Sequence, residues 1–473
     1  MSTTNTGSNR LRYSEKLAYA CGDFASSMFW KLFSMFLLFF YTDVFGITAA
    51  AVGTMFLVTR VWDAINDPMM GIIADRTHTR WGKFRPYLLF VAVPFAIIGV
   101  LTFTVPDLSA NGKLIYAYAT YTLMMMVYTA VNVPYASLMG VMTADSSERT
   151  SLASFRFIGA FTGGLFVTAT ANYLVEYFGK GDSASAASGY QWTVAVYAVL
   201  AAAFFILTFA GTRERLKPMQ EEQAPMKDDL RDMLRNKPWF IMLGAAISVL
   251  IFNSLRDGSI LFYFKYYVGD QTIDFFGKSY PFTQGELASY YMSIWLATNI
   301  AGVLLARPIS SRIGKKKTFL VSVLLSALLS FVLYFLQPNQ LELMFLLNVL
   351  IGISAGIVLP IIWSMYADIS DYSEWKTGRR ATGLIFSSSS MSQKFGWTLG
   401  GALSGWLLAA YGFKANVVQS ESALLGIRLM MSVFAGAGAL LAAAFIYFYQ
   451  LDERFMEQIG VDLEQKRRPS DSV

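Results

Sequence analysis

Histidine and cysteine are almost absent from this chain of 473 residues, which contains only His78 and Cys21 of these two types. A single cysteine excludes an intramolecular disulfide framework and a cysteine-based zinc site. A single histidine excludes a multi-histidine metal centre, and it excludes a Ser-His-Asp triad unless His78 itself serves. Charge is also scarce, because charged residues make up 15% of the chain, against about 25% in typical soluble proteins.

Long apolar runs are plentiful instead: hydrophobic residues make up 55% of the chain, and its mean hydropathy is +0.44. About 20 mainly apolar residues span a bilayer, and a helix satisfies its backbone hydrogen bonds internally. The sequence therefore predicts an all-α membrane protein with twelve transmembrane helices. The predicted spans are 15–42, 47–74, 86–106, 113–143, 151–177, 190–211, 239–268, 284–306, 317–336, 341–369, 381–411 and 422–449. The polar start MSTTNTGSNRLR predicts no removable signal peptide.

Lysine and arginine are distributed unequally between the two ends of these spans. With twelve spans, 27 of them fall on the side of both termini and 4 fall on the opposite side. The positive-inside rule then places both termini in the cytoplasm. The same asymmetry accounts for the pI of about 9.1, so nucleic-acid binding is not expected.

The longest polar interval divides the predicted spans into six and six. It predicts an N-terminal bundle over 1–211, a cytoplasmic linker over 212–238, a C-terminal bundle over 239–450 and a cytoplasmic tail over 451–473. GIIADRTHTRWGKFRP and LLARPISSRIGKKKTF stand at equivalent places in the two halves, which suggests a duplicated plan. Two parallel six-helix halves are the plan of the major facilitator fold. Small residues such as Gly159 and Gly163 permit close helix approach.

Four oxygen-bearing side chains follow one stripe of the second span: Thr59, Asp63, Asn66 and Asp67. Two carboxylates one turn apart repel each other unless a cation or a proton lies between them. Na⁺ prefers oxygen ligands, so Asp63 and Asp67 would be its ligands if sodium is the cation. The alternative is a structural ion pair with Arg60 or with a neighbouring helix.

A second set of polar and aromatic side chains is suited to a sugar. Charged groups bind hydroxyls by strong hydrogen bonds, and aromatic rings cover the apolar side of a sugar ring. The alternative is that the two cations merely neutralise the aspartates. The candidate substrate-binding residues are Asp23, Tyr128, Asn132, Arg156, Lys394 and Trp397.

Two polar segments at the ends of spans are candidates for gating. Asp75 and Arg76 open the loop after the second span, and Arg379 and Arg380 lie between the tenth and eleventh. Acids and bases in these segments can form ion pairs that break during transport. Positive-inside topology and simple solvation explain them equally well.

Five segments in order, FYTDVFGI, RVWDAINDPMMG, DRTHTRWGKFRP, VNVPYASL and ADISDYSEWKTGRRATG, resemble the glycoside–pentoside–hexuronide:cation symporter family. This is the melibiose-permease branch of the major facilitator superfamily. The resemblance implies a cation-coupled sugar importer that works by alternating access. It implies that Asp63 and Asp67 bind the cation with Asn66 and Thr129 nearby. It also implies that Asp23 and Arg156 belong to the sugar pocket, and that Lys394 lies between the two sites.

Two positions depart from melibiose permease, which has an aspartate where this chain has Asn132 and a tryptophan where it has Ala136. The sugar and the choice among Na⁺, Li⁺ and H⁺ therefore stay open. The expected partners are a glycoside, a monovalent cation and membrane lipid, with no cofactor beyond the coupling cation. We expect a functional monomer in the cell inner membrane.

Two other functions fit the same architecture: a carrier of lysophospholipids or other amphiphiles, and a membrane sensor built on a transporter fold. An enzyme is not expected, because the sequence has no P-loop, no metal-ligand cluster and no nucleophile with a histidine base.

Overall fold

The computed structural model describes residues 11–143, 146–180, 186–215, 235–275, 278–377 and 382–467. Most of these residues are helical, and helical segments cover the core of each predicted span; in the third span the helix is interrupted at Val91. The helices are α1 (Tyr13–Val44), α2 (Ala49–Arg76), α3 (Arg85–Phe90 and Ala92–Thr102), α4 (Ala110–Met142), α5 (Ser146–Gly179), α6 (Ala186–Gly211), α7 (Lys237–Val268), α8 (Gln284–Ile313), α9 (Lys315–Leu333), α10 (Leu341–Thr377), α11 (Thr382–Ala410), α12 (Glu421–Tyr447) and α13 (Glu453–Arg467).

Within the described ranges, nine helices are long and apolar enough to cross a membrane by length and composition. Two shorter apolar helices, Ala49–Thr59 and Ala92–Thr102, lie in the second and third predicted spans. The number of twelve crossings stays a prediction.

Two elements were not predicted from the sequence. An antiparallel hairpin of β1 (Gln271–Phe275) and β2 (Lys278–Phe282) joins α7 to α8. The second element is the tail helix α13, which buries Ile459 and Leu463 and exposes most of its charged residues. Both segments are too short or too polar to register as membrane spans, so a search for long apolar runs passes over them.

The chain divides into two compact units. The first is Met1–Gln220 with Lys414–Val417, and the second is Glu221–Phe413 with Val418–Val473. The domain boundaries given by the polar intervals stay predictions, since most of the interval 212–238 lies outside the described residues.

In the first unit, α1 packs closely against α5. A Cβ atom at Gly159 would collide with the main-chain carbonyl oxygen of Ala20, and one at Gly163 would collide with that of Phe24. Any larger residue would therefore push the two helices apart. This close contact fixes the spacing between the side chains that α1 and α5 present to each other.

The first helix of each unit ends in the same way. The last residues of α1, Phe40–Val44, and of α7, Tyr263–Val268, are π-helical. Each helix is followed by a glycine with positive φ, +87° at Gly46 and +69° at Gly269, a conformation that glycine adopts without a steric penalty. Helices α1 and α7 are thus structural counterparts, which agrees with a duplicated plan.

In each unit, a carboxylate also accepts backbone hydrogen bonds at the start of a helix. In the first unit, Glu214 accepts hydrogen bonds from the backbone N–H groups of residues 83–85 at 2.9, 2.8 and 3.0 Å. In the second unit, Glu453 accepts one from the backbone N–H of Lys315. These N–H groups lie at the beginnings of α3 and α9, where helical donors have no partner within the helix.

Candidate functional site

The acidic stripe of α2 is brought against α4. Asp63 is buried, with 3% of its surface exposed. The hydroxyl of Thr129 donates a hydrogen bond of 2.9 Å to Oδ1 of Asp67. The structure therefore joins two of the side chains that the sequence placed at the cation site, Thr129 and Asp67. Thr59, on the same stripe, donates instead to the main-chain carbonyl of Met55 at 2.8 Å.

Asn66 lies between the two aspartates on the same helix. Its Nδ2 atom is buried and has no hydrogen-bond partner among the described residues. Two carboxylates, one amide and one hydroxyl make an oxygen-rich set with a formal charge of −2. Such a set can bind a monovalent cation or a proton, because either one relieves the repulsion between the carboxylates.

Asp23 of α1 and Arg156 of α5 form an ion pair. Nε of Arg156 lies 2.5 Å from Oδ2 of Asp23, and Nη2 lies 3.4 Å from Oδ1. The aspartate side chain is 13% exposed and the arginine side chain 29%. Both residues can still reach a ligand, since each keeps part of its surface open. The ion pair also agrees with the alternative interpretation, in which Arg156 serves to neutralise an aspartate.

Two tyrosines support this ion pair from α1 and α4. The rings of Tyr19 and Tyr135 stack with their centroids 4.7 Å apart. Each hydroxyl donates to the main-chain carbonyl of the other residue, at 3.2 and 2.7 Å. The guanidinium of Arg156 lies 5.1 Å from the ring centroid of Tyr135. Sequence reasoning missed both tyrosines, because their mutual bonds join positions 116 residues apart.

The remaining sugar candidates of the first unit, Tyr128 and Asn132, lie on α4, and Trp30 of α1 is close to Tyr128. The rings of Trp30 and Tyr128 are 6.1 Å apart at an angle of 38°. The side-chain amide of Asn132 donates to the main-chain carbonyl of Tyr128 at 2.9 Å, so this donor is engaged by its own helix. The aromatic pair offers ring surface in the same unit as the ion pair.

Lys394 and Trp397 lie on α11 in the second unit, and both are half-buried. The main-chain carbonyl of Lys394 accepts a hydrogen bond from Thr398 at 2.6 Å. The main-chain carbonyl of Trp397 accepts one from Ser254 of α7 at 3.1 Å. This turn of α11 is therefore packed against α7.

Most of the gating candidates fall outside the described residues: the side chain of Asp75, and Arg379 and Arg380. Arg76 is exposed at the end of α2, and its carbonyl lies 2.9 Å from Nδ1 of His78. Among the residues that the structure describes, none forms a gating contact with Arg76. The structure does show an ion pair to the segment ADISDYSEWKTGRRATG, which also contains Arg379 and Arg380: Nζ of Lys315 lies 2.7 Å from the carboxylate of Asp368 in that segment.

A hydrogen bond also joins the end of α10 to the tail helix. The indole N–H of Trp375, at the end of α10, donates to Asp462 of α13 at 2.8 Å. Sequence reasoning missed Asp462. The alternation of apolar and charged residues over 453–467 is the signal that would have predicted an amphipathic helix there.

Comparison with known proteins adds an independent line of information. Residues 18–453 match the family described as MFS/sugar transport protein. The isoprimeverose transporter of Lactiplantibacillus pentosus is 37% identical over 467 residues, which cover 98% of this chain and 94% of that protein. The putative glycoside/cation symporter YagG of Escherichia coli (strain K12) is 36% identical over 461 residues, covering 97% and 96%.

Among solved structures, the D-xylose-proton symporter superposes with a TM-score of 0.61 at 15% identity. The match covers 93% of this chain and 98% of that one. At this level of identity the likeness concerns the fold alone.

Proposed function

The chain belongs to the MFS/sugar transport family, and from this membership we propose that it couples the movement of a cation to that of a glycoside, pentoside or hexuronide. The membership confirms the predicted fold class, a helical major facilitator protein. It also identifies the chain as a multi-pass membrane transporter rather than an enzyme. The two relatives are named as a transporter of isoprimeverose and as a glycoside/cation symporter, which supports symport of a sugar with a cation.

The observation that carries the cation part of this proposal is the bond from Thr129 to Asp67. A charged carboxylate within a membrane span is costly, at about 2.5–3.5 kcal/mol on insertion scales. Asp63 and Asp67 lie one turn apart, so the cost of ionising both is higher still. A bound Na⁺ or proton removes most of this cost, and the hydroxyl of Thr129 keeps Asp67 in place.

Helix α4 provides a physical route for coupling, because it carries residues of both candidate sites. Thr129 contacts the cation site, and Tyr135 lies six residues further along against the pair of Asp23 and Arg156. A shift of α4 on cation binding would therefore reach the sugar residues. Coupling of two sites is a free energy that acts equally in both directions, so the sugar would raise cation affinity as much as the cation raises sugar affinity.

The proposal also covers membrane orientation and partners. We infer a cell inner membrane protein with both termini in the cytoplasm, from the excess of basic residues on one side. The partners are one glycoside-type substrate, Na⁺ or H⁺ as the coupling cation, and the surrounding lipid. Labelling of single cysteines tests the orientation: position 316 should react from the cytoplasm and position 414 from outside.

The function is tested by uptake into membrane vesicles. A panel of radiolabelled glycosides, pentosides and hexuronides is offered with and without a Na⁺ gradient or a pH gradient. We expect at least one sugar to accumulate only when one of the gradients is imposed. Accumulation that does not depend on either gradient would refute coupling. The absence of accumulation for every sugar of the panel would refute sugar transport.

A further inference from the structure

The loop between α2 and α3, in the first unit, carries basic side chains that the proposed mechanism does not use. Arg76 and Arg80 are both exposed. Neither takes part in the ion pairs that join described residues of the protein. Their charges are therefore not used to hold helices together, and a partner outside the protein can reach them.

A stack of aromatic rings holds this loop against the ends of α3 and α6. The guanidinium of Arg80 lies 4.4 Å from the ring centroid of Trp81. The ring of Trp81 in turn lies 5.8 Å from that of Phe90 in α3 and 6.0 Å from that of Phe209 in α6. Arg85 covers the ring of Phe209 and donates to its main-chain carbonyl at 2.7 Å. The charge of Arg80 is therefore kept beside an aromatic side chain rather than on a free loop tip.

Next to this stack, α3 exposes an apolar stripe to its surroundings. Its members are Phe90, Val93, Ile97 and Leu101, which are 60, 55, 55 and 41% exposed. Spacings of three and four residues place them on one face of the helix. Over these positions the stripe measures about 16 Å at 1.5 Å per residue. Half of a hydrocarbon core about 30 Å thick has a similar depth, so the stripe matches an acyl chain of one leaflet.

Charge indicates which headgroup would be attracted to this place. Glu214 binds the backbone N–H groups at the end of the loop, so the segments 75–85 and 213–215 lie together. They contain six basic and two acidic residues. Arg215 is paired with Glu15, which leaves five basic residues against two acidic ones. Such an excess attracts an anionic headgroup, whereas a zwitterionic headgroup has no net charge to respond to it.

We propose that the loop between α2 and α3 binds an anionic phospholipid of the membrane. The guanidinium of Arg80 binds the lipid phosphate, since arginine donates paired hydrogen bonds to phosphate oxygens. Trp81 lies at the level of the glycerol backbone, because tryptophan is enriched where hydrocarbon meets water. An acyl chain covers the exposed stripe of α3, and Arg76 adds to the attraction. This inference goes beyond the proposed function, because it concerns a lipid that is bound and not transported.

Native mass spectrometry of the purified full-length protein in detergent tests this assignment. Dioleoylphosphatidylglycerol and dioleoylphosphatidylcholine are titrated into the wild type, Arg80→Gln and Arg80→Lys. One basic residue near an anionic lipid surface contributes about fivefold in affinity. We therefore expect Arg80→Gln to weaken binding of phosphatidylglycerol by about that factor and to leave phosphatidylcholine unaffected. Arg80→Lys keeps the charge and should recover most of the binding.

Arg454 of the tail helix α13 provides a matched control. It is also exposed, so Arg454→Gln removes the same charge from a place that lacks the aromatic stack and the stripe of α3. Its affinity for phosphatidylglycerol should equal that of the wild type. Inorganic phosphate, a headgroup probe without acyl chains, should bind far more weakly than the lipid.

Several outcomes would overturn the proposal. An unchanged affinity for phosphatidylglycerol in Arg80→Gln would do so; if that variant does not fold, an unchanged affinity in Arg76→Gln would decide in the same way. Equal losses in Arg80→Gln and Arg454→Gln would indicate general charge attraction instead of a site. Equal binding of the two lipids by the wild type would remove the anionic headgroup. Binding of inorganic phosphate as tight as that of the lipid would identify a site for free anions.

Discussion

Replacing Thr129 with valine isolates one hydrogen bond of the candidate cation site. Valine has nearly the same shape as threonine, so the substitution removes the hydroxyl and little else. That hydroxyl is buried and donates to the carboxylate of Asp67 at 2.9 Å. A hydrogen bond to a charged group contributes about 1.5–3 kcal/mol, and each 1.4 kcal/mol corresponds to about a tenfold change in an equilibrium constant. If Na⁺ is the coupling cation, we therefore expect Thr129→Val to weaken its binding by about 10- to 150-fold; for H⁺ the shift is in the opposite direction, because a donor to a carboxylate favours its ionised form.

The assay measures sugar accumulation in membrane vesicles as a function of cation concentration. The coupling cation is first identified with the wild type, by comparing Na⁺ with K⁺ and by imposing a pH gradient. In Thr129→Val the half-maximal Na⁺ concentration should rise by the stated factor, whereas a half-maximal H⁺ concentration should fall, and sugar binding without a gradient should change little. Thr129→Ser keeps the hydroxyl and should behave nearly as the wild type does.

Thr120 of the same helix gives the matched control for this experiment. It is also buried, but its hydroxyl donates to the main-chain carbonyl of Tyr116 at 2.8 Å within α4. Thr120→Val should leave the half-maximal cation concentration unchanged. The reasoning would be refuted if Thr129→Val and Thr120→Val gave the same cation dependence as the wild type.

Four further substitutions test other parts of the structure. Asp63→Cys and Asp67→Cys should each abolish cation-driven accumulation while sugar exchange persists, because each substitution removes one of the two paired carboxylates. Cation-stimulated accumulation by either variant would refute the proposed cation site. Asp23→Ala should weaken sugar binding by about 10- to 150-fold with cation binding still measurable by calorimetry, whereas an unaltered sugar Kd would assign the ion pair to stability alone. Glu214→Ala should lower the free energy of unfolding by at least about 2 kcal/mol, since three N–H groups lose their charged acceptor. Replacement of the exposed Glu457 with alanine is the control. An equal melting temperature for both variants would contradict a stabilising role of the bonds to Glu214.

The helical spans and the acidic stripe of α2 could be predicted from the sequence because both depend on neighbours along the chain. A run of about 20 apolar residues favours the bilayer whatever surrounds it. Helical periodicity places Asp63 and Asp67 on one face without reference to any other helix. Basic residues near span ends predict orientation for the same local reason, and the family could be recognised from short segments such as RVWDAINDPMMG.

The tertiary structure decided which helices meet and what each polar group finds there. The bond from Thr129 to Asp67 joins positions 62 residues apart, and the pair of Arg156 with Asp23 joins positions 133 apart. The resemblance to a family suggested these neighbourhoods, but helical periodicity within one span contains no information about the side chain opposite. Hydrogen-bond satisfaction depends on contacts between segments distant in the chain, and only the packed fold specifies those contacts.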